Sequence, residues 1–394
     1  MTAPRTRAGV VACLFAALWL AIGTAAPGVA QDREAIAEFS AQIAEDVRTD
    51  GIGGITAAVF LGDQVVWAEG FGWADPEGGV PAGVRTIYRT GSISKSFTGV
   101  LLADLVDEGV LGLDDAVVDV LPEVAAFGDA PNGMRPVTFR QMASHSAGLI
   151  REPELEGAAA GPIEDWGHKI LASIPHTSFY AMPGTEYRYS NIGFGILGYA
   201  LQRAMGESFI SMVERRIFDP LGMSSSTFIV GPDLQHRLAV GFANAPAGEV
   251  NAEFPALEHA GRGYKVPNGG VYSTVGDLAT FGAAVMGRTA HELLSTDIRS
   301  QVMSPQTPAD SETKYGLGFS LNEITLQDRS EATLVAHGGS VAGYNAFLVF
   351  EPESGLGVVL LRNYNWGATN LGQAAQRLLI RLLGAERLEG GADR

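Results

Sequence analysis

Apolar positions recur with helical spacing over residues 33–48, where Ile36, Phe39, Ile43 and Val47 form one stripe. Gly51-Ile52-Gly53-Gly54 ends that segment. Two runs of strand type follow, Ile55 to Leu61 and Gln64 to Phe71, with Gly62-Asp63 as a tight turn between them. A Gly/Pro-rich connection from Gly72 to Gly83 leads to Thr86–Thr90, which reads as extended. The next apolar run holds Phe97, Val100, Leu101, Ala103, Leu105 and Val106, fits one helical face and stops near Gly109. From about 112 to 264 the strand signals fade. Thr138 caps a short helix ending before Gly148, and Pro183-Gly184-Thr185 marks a turn. One helix then carries Phe194, Leu197, Leu201 and Met205, and another spans 208–218 before Asp219-Pro220-Leu221-Gly222. The stretch 231–264 is polar, rich in Ala and Gly and without periodicity, so it reads as a surface loop over a cleft.

Strand patterns return late in the chain. Thr274 with Asp277 forms a capping-box signal for a helix through Met286. Tyr315 to Leu321 reads as a strand, and Thr333 to Ala336 as another that runs into His337-Gly338-Gly339-Ser340. Tyr344–Phe350 and Leu356–Arg362 form a hairpin around Pro352-Glu353-Ser354-Gly355. A last amphipathic helix carries Leu371, Ala375, Leu378, Leu379 and Leu382. No internal repeat interrupts this order. Helices and strands at both ends around a helical middle predict an α/β (α+β) fold: a sheet domain built from 31–111 and 265–394, with an all-α subdomain, 112–264, inserted.

The first thirty residues change the picture. Arg5 and Arg7 precede an apolar core from Ala8 to Gly23, too short to span a bilayer comfortably, and Gly28-Val29-Ala30 offers small residues before a cut ahead of Gln31. This is the pattern of a secretory signal peptide of the general export type, and it predicts a secreted or periplasmic bacterial protein. The two arginines are not adjacent, and Cys13 lies near the start of the apolar run, so neither a twin-arginine signal nor lipidation is expected. Cys13 is the only cysteine, which leaves the mature chain without disulfides, thiolate metal ligands or a cysteine nucleophile. With 44 acidic and 27 basic residues the net charge is −17, which argues against a general nucleic-acid surface. No later stretch is long and apolar enough for a transmembrane helix.

The candidate chemistry centres on Gly91-Ser92-Ile93-Ser94-Lys95. Ser92 stands at the predicted helix N-terminus, and Lys95, three residues on, projects from the same side. The positive end of the helix and partial burial disfavour a charged ammonium, so the pair offers a serine nucleophile and a nearby amine base. The plain alternative for Ser92 is a helix N-cap. A second copy, Ser311-Glu312-Thr313-Lys314, opens no helix and reads as a loop. Tyr189-Ser190-Asn191 is the second element, and His337-Gly338-Gly339, directly after a strand, is the third. A rival His259-Ala260-Gly261 lacks flanking strands. His145 is read as a buried, hydrogen-bonded turn residue instead of a general base. A Gly-x-Ser-x-Gly elbow fails at Ala342, and His291-Glu292 lacks the second histidine of a zinc protease.

Ser-x-x-Lys, Tyr-x-Asn and His-x-Gly in this order make the chain resemble the serine β-lactamase/penicillin-binding-protein superfamily. The resemblance is to the branch holding class C β-lactamases, D-alanyl-D-alanine carboxypeptidases and family VIII esterases. Flanking stretches such as Ser144-His-Ser-Ala-Gly-Leu149, Phe218-Asp-Pro-Leu-Gly-Met223 and Gly269-Gly-Val-Tyr-Ser-Thr274 resemble it too. The resemblance implies an antiparallel sheet flanked by the terminal helices and a β-lactamase/transpeptidase-like fold. It implies that Ser92 forms an acyl-enzyme, that Lys95 takes the hydroxyl proton, that Tyr189 relays a proton to the leaving group and that Asn191 holds Lys95 or a substrate amide. The backbone N–H groups of Ser92 and Ser340 would form an oxyanion hole, with glycines 338 and 339 giving the substrate close approach. Neither metal nor organic cofactor is implied. β-Lactamases of this family usually carry Lys-Thr-Gly where this chain has His337-Gly338-Gly339. The expected substrate is therefore a small carboxylic ester or peptide-like amide, cell-wall-derived material included. A β-lactamase and a catalytically silent peptide-binding protein are the alternatives. His337 is expected to contribute a pH dependence in the ordinary histidine range. Whether Lys95 or Tyr189 is the working base stays open, as does the oligomeric state.

Overall fold

A computed structural model describes residues 27–244, 250–325 and 331–384. Positions 1–26 of the expected leader, and 245–249 of the stretch expected to be a loop, lie outside the described residues. Among the described residues no helix is long and apolar enough to cross a membrane.

Helix α1, Pro27–Asp50, starts ahead of its periodic stripe. Strands β1, Gly54–Leu61, and β2, Gln64–Asp75, form the expected hairpin, with Gly62 at φ +56° in its turn. β2 continues beyond Phe71 and pairs with β3, Val80–Pro81, so part of the expected connection is strand. Helix α2, Ser94–Asp107, follows. Beyond it come α3, Phe139–Ala143, with a complete Thr138/Gln141 capping box, and α4, Asn191–Met205, capped by Ser190. Helix α5 is Val275–Val285, with Thr274 accepting from Asp277 N. Then come β4, Lys314–Tyr315; β5, Ser320–Thr325; β6, Glu331–Val341; β7, Tyr344–Glu351; β8, Leu356–Arg362; and helix α6, Leu371–Leu382.

These eight strands join one sheet in the order β3-β2-β1-β8-β7-β6-β5-β4, and every pair is antiparallel; two short antiparallel pairs stand apart from it, Tyr88–Arg89 with Tyr272–Ser273 and, within the stretch expected to be all-α, Ala243–Asn244 with Val250–Asn251. β1 and β8 close the sheet across the two ends of the chain, with Ile55 opposite Arg362 and Leu61 opposite Leu356. Both faces are covered. On one, Ile43 and Val47 of α1 and Leu378 and Leu379 of α6 pack on Ile55, Val59, Leu334 and Leu360. On the other, α2 and α5 lie against Phe60 and Phe350, with Phe97 and Phe281 stacked at 4.0 Å. That second core runs without a break into the helical middle, through Phe139, Phe194, Leu197 and Phe209.

Two sequence expectations need correction. Tyr315–Leu321 is not one strand: Gly316–Phe319 bends between β4 and β5, with Gly318 at φ +82°. The bend is held on α2, where Ser96 Oγ donates to Gly318 O at 2.7 Å, and a Cβ on Gly318 would stand 2.6 Å from Lys95 O. Likewise, 231–264 is more than a surface loop. It includes a short helix, Glu253–Leu257, and Glu258 joins Arg89 at 2.8 Å and Arg262 at 2.9 Å, with Arg89 and Tyr264 fully buried. Its order comes from ion pairs, which leave no hydrophobic period to read.

Candidate active site

Ser92 lies in a single tight turn, Gly91–Ile93, directly before α2, and not in the α-helix proper. Gly91 takes φ +54°, and no side chain caps the turn, so Ser92 is not spent as an N-cap. The turn is fixed from behind. Ser94 Oγ donates to Gly91 O at 2.8 Å and accepts from Val271 N at 3.1 Å, and Thr90 Oγ1 donates to Val271 O at 2.9 Å. What stays half-buried and open is the Ser92 hydroxyl itself.

Lys95 is fully buried one turn further on. Its Nζ lies 3.3 Å from Ser92 Oγ, donates to Asn191 Oδ1 at 2.8 Å and to Asn268 O at 3.1 Å, and stands 4.7 Å from the centre of the Tyr189 ring. Burial, reinforced by the charge of Arg151 and opposed by Glu152, holds the amine well below its ordinary 10.5. Burial raises the Tyr189 hydroxyl to about 12, against the lowering influence of the neighbouring Ser92. Burial therefore disfavours the charged form of both groups beside the serine hydroxyl, the ammonium of Lys95 and the phenolate of Tyr189.

Asn191 opens α4, where Ser190 Oγ accepts from Gly193 N at 3.0 Å. Its Nδ2 donates to Glu152, which also accepts from Tyr264 and ion-pairs with Lys265 at 3.2 Å. Asn268 Nδ2 in turn donates to Asn191 O at 2.9 Å. His145, at φ +59°, accepts from Ser190 N on Nδ1 at 3.1 Å, and its ring lies 4.2 Å from that of Tyr189. It is the buried turn histidine expected from the sequence.

The opposite wall is β6. Gly338 pairs with Phe347, Gly339 with Ala346 and Ser340 with Asn345. A Cβ on Gly339 would collide with Thr90 O, and one on Gly91 would stand 2.8 Å from Ser340 N, so this strand and the Ser92 turn touch backbone to backbone. His337 Nδ1 donates to Gly338 O at 2.7 Å, which fixes the tautomer, and Nε2 accepts from Tyr315 O–H at 2.8 Å. Burial pushes the imidazole down to about 3. That burial stands against the pH dependence in the ordinary histidine range expected of this residue.

The structure thus gathers Ser92, Lys95, Tyr189, Asn191, His337, Gly338, Gly339 and Ser340 around one place, and most of them line a cleft of about 790 Å³. The second Ser-x-x-Lys is spent locally: Ser311 Oγ donates to Thr313 O at 2.9 Å and Lys314 Nζ to Ala309 O at 2.9 Å. His259 pairs with Tyr272 OH at 2.7 Å beside the Arg89–Glu258 ion pair. Sequence reasoning missed Glu152, Arg151, Asn268 and Tyr315. Only position pointed to them: Arg151 and Glu152 closely follow Ser144–Leu149, and Asn268 directly precedes Gly269-Gly270.

Known proteins resemble this chain to different degrees. The family model described as Beta-lactamase matches residues 39–382. Beta-lactamase-like protein 2 of Dictyostelium discoideum is 28% identical over 320 residues, 79% of this chain and 56% of its own. The D-alanyl-D-alanine-carboxypeptidase/endopeptidase AmpH of Escherichia coli (strain K12) is 31% identical over 230 residues, 58% of this chain and 56% of its own. Unguisins hydrolase ungD of Aspergillus violaceofuscus is 25% identical over 364 residues, 85% of this chain and 63% of its own. The chain is also similar to the solved octameric penicillin-binding protein homologue from Pyrococcus abyssi. That likeness has a TM-score of 0.71 and 25% identity, and covers 89% of this chain and 78% of the other. The aligned part is 56% to 63% of the length of these curated relatives.

Proposed function

Because the chain belongs to the Beta-lactamase family, we propose that it is an exported serine hydrolase that forms an acyl-enzyme on Ser92 and cleaves a carboxylic ester or a peptide-like amide. The observation that carries this reading is the buried Lys95 amine, 3.3 Å from Ser92 Oγ and 4.7 Å from the centre of the Tyr189 ring, which lines the same cleft. Ser92 Oγ attacks the substrate carbonyl while Lys95, held neutral, takes its proton. The oxyanion is received by the backbone N–H groups of Ser92 and Ser340, one such donor being worth about 3 kcal/mol in the transition state. The intermediate collapses as Tyr189, protonated by virtue of its raised pKa, gives its proton to the departing oxygen or nitrogen and regains one from Lys95. Water then attacks the acyl-enzyme by the same route in reverse and restores the serine. The opposite pKa shifts of Lys95 and Tyr189 support the lysine as base and the tyrosine as donor.

The substrate preference rests on β6. Position 338 carries no hydroxyl, and a side chain there would stand 3.2 Å from the Phe347 ring, a poor fit to β-lactam carboxylate binding. The peptidase AmpH among the relatives supports the amide arm of the proposal. The test is hydrolysis of a short-chain p-nitrophenyl ester and of a D-amino-acid dipeptide by the chain from Gln31 onward and by its Ser92→Ala variant. Turnover lost in the variant by about a thousandfold or more supports the reading. Equal turnover by both proteins removes Ser92 from the mechanism.

A further inference from the structure

The cleft at Ser92 is lined by two arginines, Arg151 and Arg362, and by no aspartate or glutamate. That is a local inversion in a chain with 44 acidic and 27 basic residues. Arg362 is buried in the fold, its Nε and Nη1 donating to Tyr364 O and Thr369 O at 2.9 Å each. Arg151 differs. Its side chain is 64% exposed, and its guanidinium carbon stands 4.9 Å from the centre of the Tyr189 ring.

The base of Arg151 is fixed although its head is open. Asn191 N and Ile192 N donate to Arg151 O at 2.8 and 3.2 Å, and Ser190 Oγ donates to Ile150 O at 2.7 Å. The arginine is therefore carried by the same helix start that presents Tyr189 and Asn191. Its one acidic neighbour, Glu152, lies 3.8 Å from Arg151 Nε, but that carboxylate already serves Asn191, Tyr264 and Lys265. One carboxylate facing Lys265 and Arg151 leaves the mouth of the cleft with an excess of positive charge. A planar guanidinium there offers paired donors that match a carboxylate.

We propose that Arg151 is a specificity-determining residue that selects substrates bearing a carboxylate within reach of the Ser92 acylation site. This rests on the serine-hydrolase reading above. The charge is read from the helical wall of the cleft, opposite the hydroxyl-free Gly338 of β6.

The experiment uses two ester pairs that differ in charge. One varies the acyl side, p-nitrophenyl hemiglutarate against p-nitrophenyl valerate. The other varies the leaving side, the butyrate esters of meta-hydroxybenzoate and meta-hydroxybenzamide. The readout is the ratio of kcat/KM, anionic over neutral, within each pair, so any general effect of a variant on Lys95 or Tyr189 cancels. The parent is expected to favour the anionic member of one pair by about tenfold, which is about 1.4 kcal/mol. Arg151→Gln brings that ratio close to one, Arg151→Lys keeps a part of it, and high salt shrinks it. The pair that responds tells which side of the scissile bond Arg151 faces. Ratios near one in the parent, or a preference that Arg151→Gln leaves unchanged, overturn the proposal.

Failure of the hydrolase reading looks different: no ester is turned over by the parent. Calorimetric titration of Ser92→Ala and Ser92→Ala/Arg151→Gln with the same compounds then decides. Charge-selective binding that disappears in the double variant sustains the role of Arg151, and its absence from both ends it.

Discussion

Lys95 Nζ donates to Asn191 Oδ1 at 2.8 Å across 96 residues of chain, and this contact places the amine beside Ser92. The amide of Asn191 donates from its other side to Glu152, so that carboxylate acts on the lysine from beyond a neutral amide. Asn191→Asp puts the negative charge directly on the amine. An opposite charge at that distance favours the ammonium and typically moves a pKa by about 1–3 units. The acid limb of the kcat/KM–pH profile is expected to shift to higher pH in Asn191→Asp, and Asn191→Ala to lose rate without that shift. Steady-state kinetics across pH checks both, and an unmoved acid limb in Asn191→Asp removes Lys95 from the titration.

The same lysine has a signature in stability. Its folded value lies well below the ordinary 10.5, so between the two values the unfolded chain holds a proton that the folded chain does not. Stability therefore rises with pH through that window, at up to about 1.4 kcal/mol per pH unit. The burial cost is greatest at the acid end and is relieved as pH approaches 10.5. Urea denaturation of the parent and Lys95→Met across the neutral to alkaline range should give a difference that moves in favour of the parent as pH rises. Parallel curves would mean that Lys95 stays charged in the fold.

Much of this organisation was legible in the sequence because the elements obey simple periods. The Ile36–Val47 stripe, the Gln64 hairpin and the Leu371–Leu382 helix are all where their patterns put them. The catalytic motifs were legible by their order along the chain. Partners that depend on tertiary approach were not. The contribution of Asn268 to Lys95 is a backbone carbonyl, which no residue type announces. Glu152 and Arg151 gain meaning only when α4 docks on them. The break between Tyr315 and Ser320 comes from Gly318 lying against α2, and a short apolar run cannot show such a contact. The burial of His337 was not legible for a related reason: a residue type gives the ordinary pKa, and packing moves it.

Gly339 is predicted to be intolerant of any side chain. Its Cβ would meet Thr90 O, a backbone atom of the segment that leads into the Ser92 turn, and Thr90 is itself tied to Val271 through both its N–H and its hydroxyl. Gly339→Ala should displace Ser340 N–H from the position where an oxyanion forms. A loss of about a hundredfold or more in kcat is expected with circular dichroism and the urea m-value unchanged. Full activity in this variant would remove the Ser340 N–H group from the oxyanion site.

His337 carries the last prediction. Its imidazole is fully buried, accepts from Tyr315 O–H at 2.8 Å and is held down to about 3 against an ordinary 6.5. Below 6.5 the unfolded chain takes up a proton that the folded chain refuses, so the stability contributed by the neutral ring is complete above that value and drains away toward about 3. Glutamine keeps a polar acceptor but does not titrate. His337→Gln should thus flatten the fall of stability between neutral pH and pH 4 by up to one proton's worth, about 1.4 kcal/mol per pH unit at most. It should also leave the shape of the kcat/KM–pH profile near neutrality as in the parent, whatever it does to the rate. His145 and His259 are likewise held down by burial and continue to titrate in the variant, so some acid sensitivity persists. A kcat/KM inflection in the ordinary histidine range that vanishes in His337→Gln would contradict the buried, neutral ring and return the residue to proton transfer.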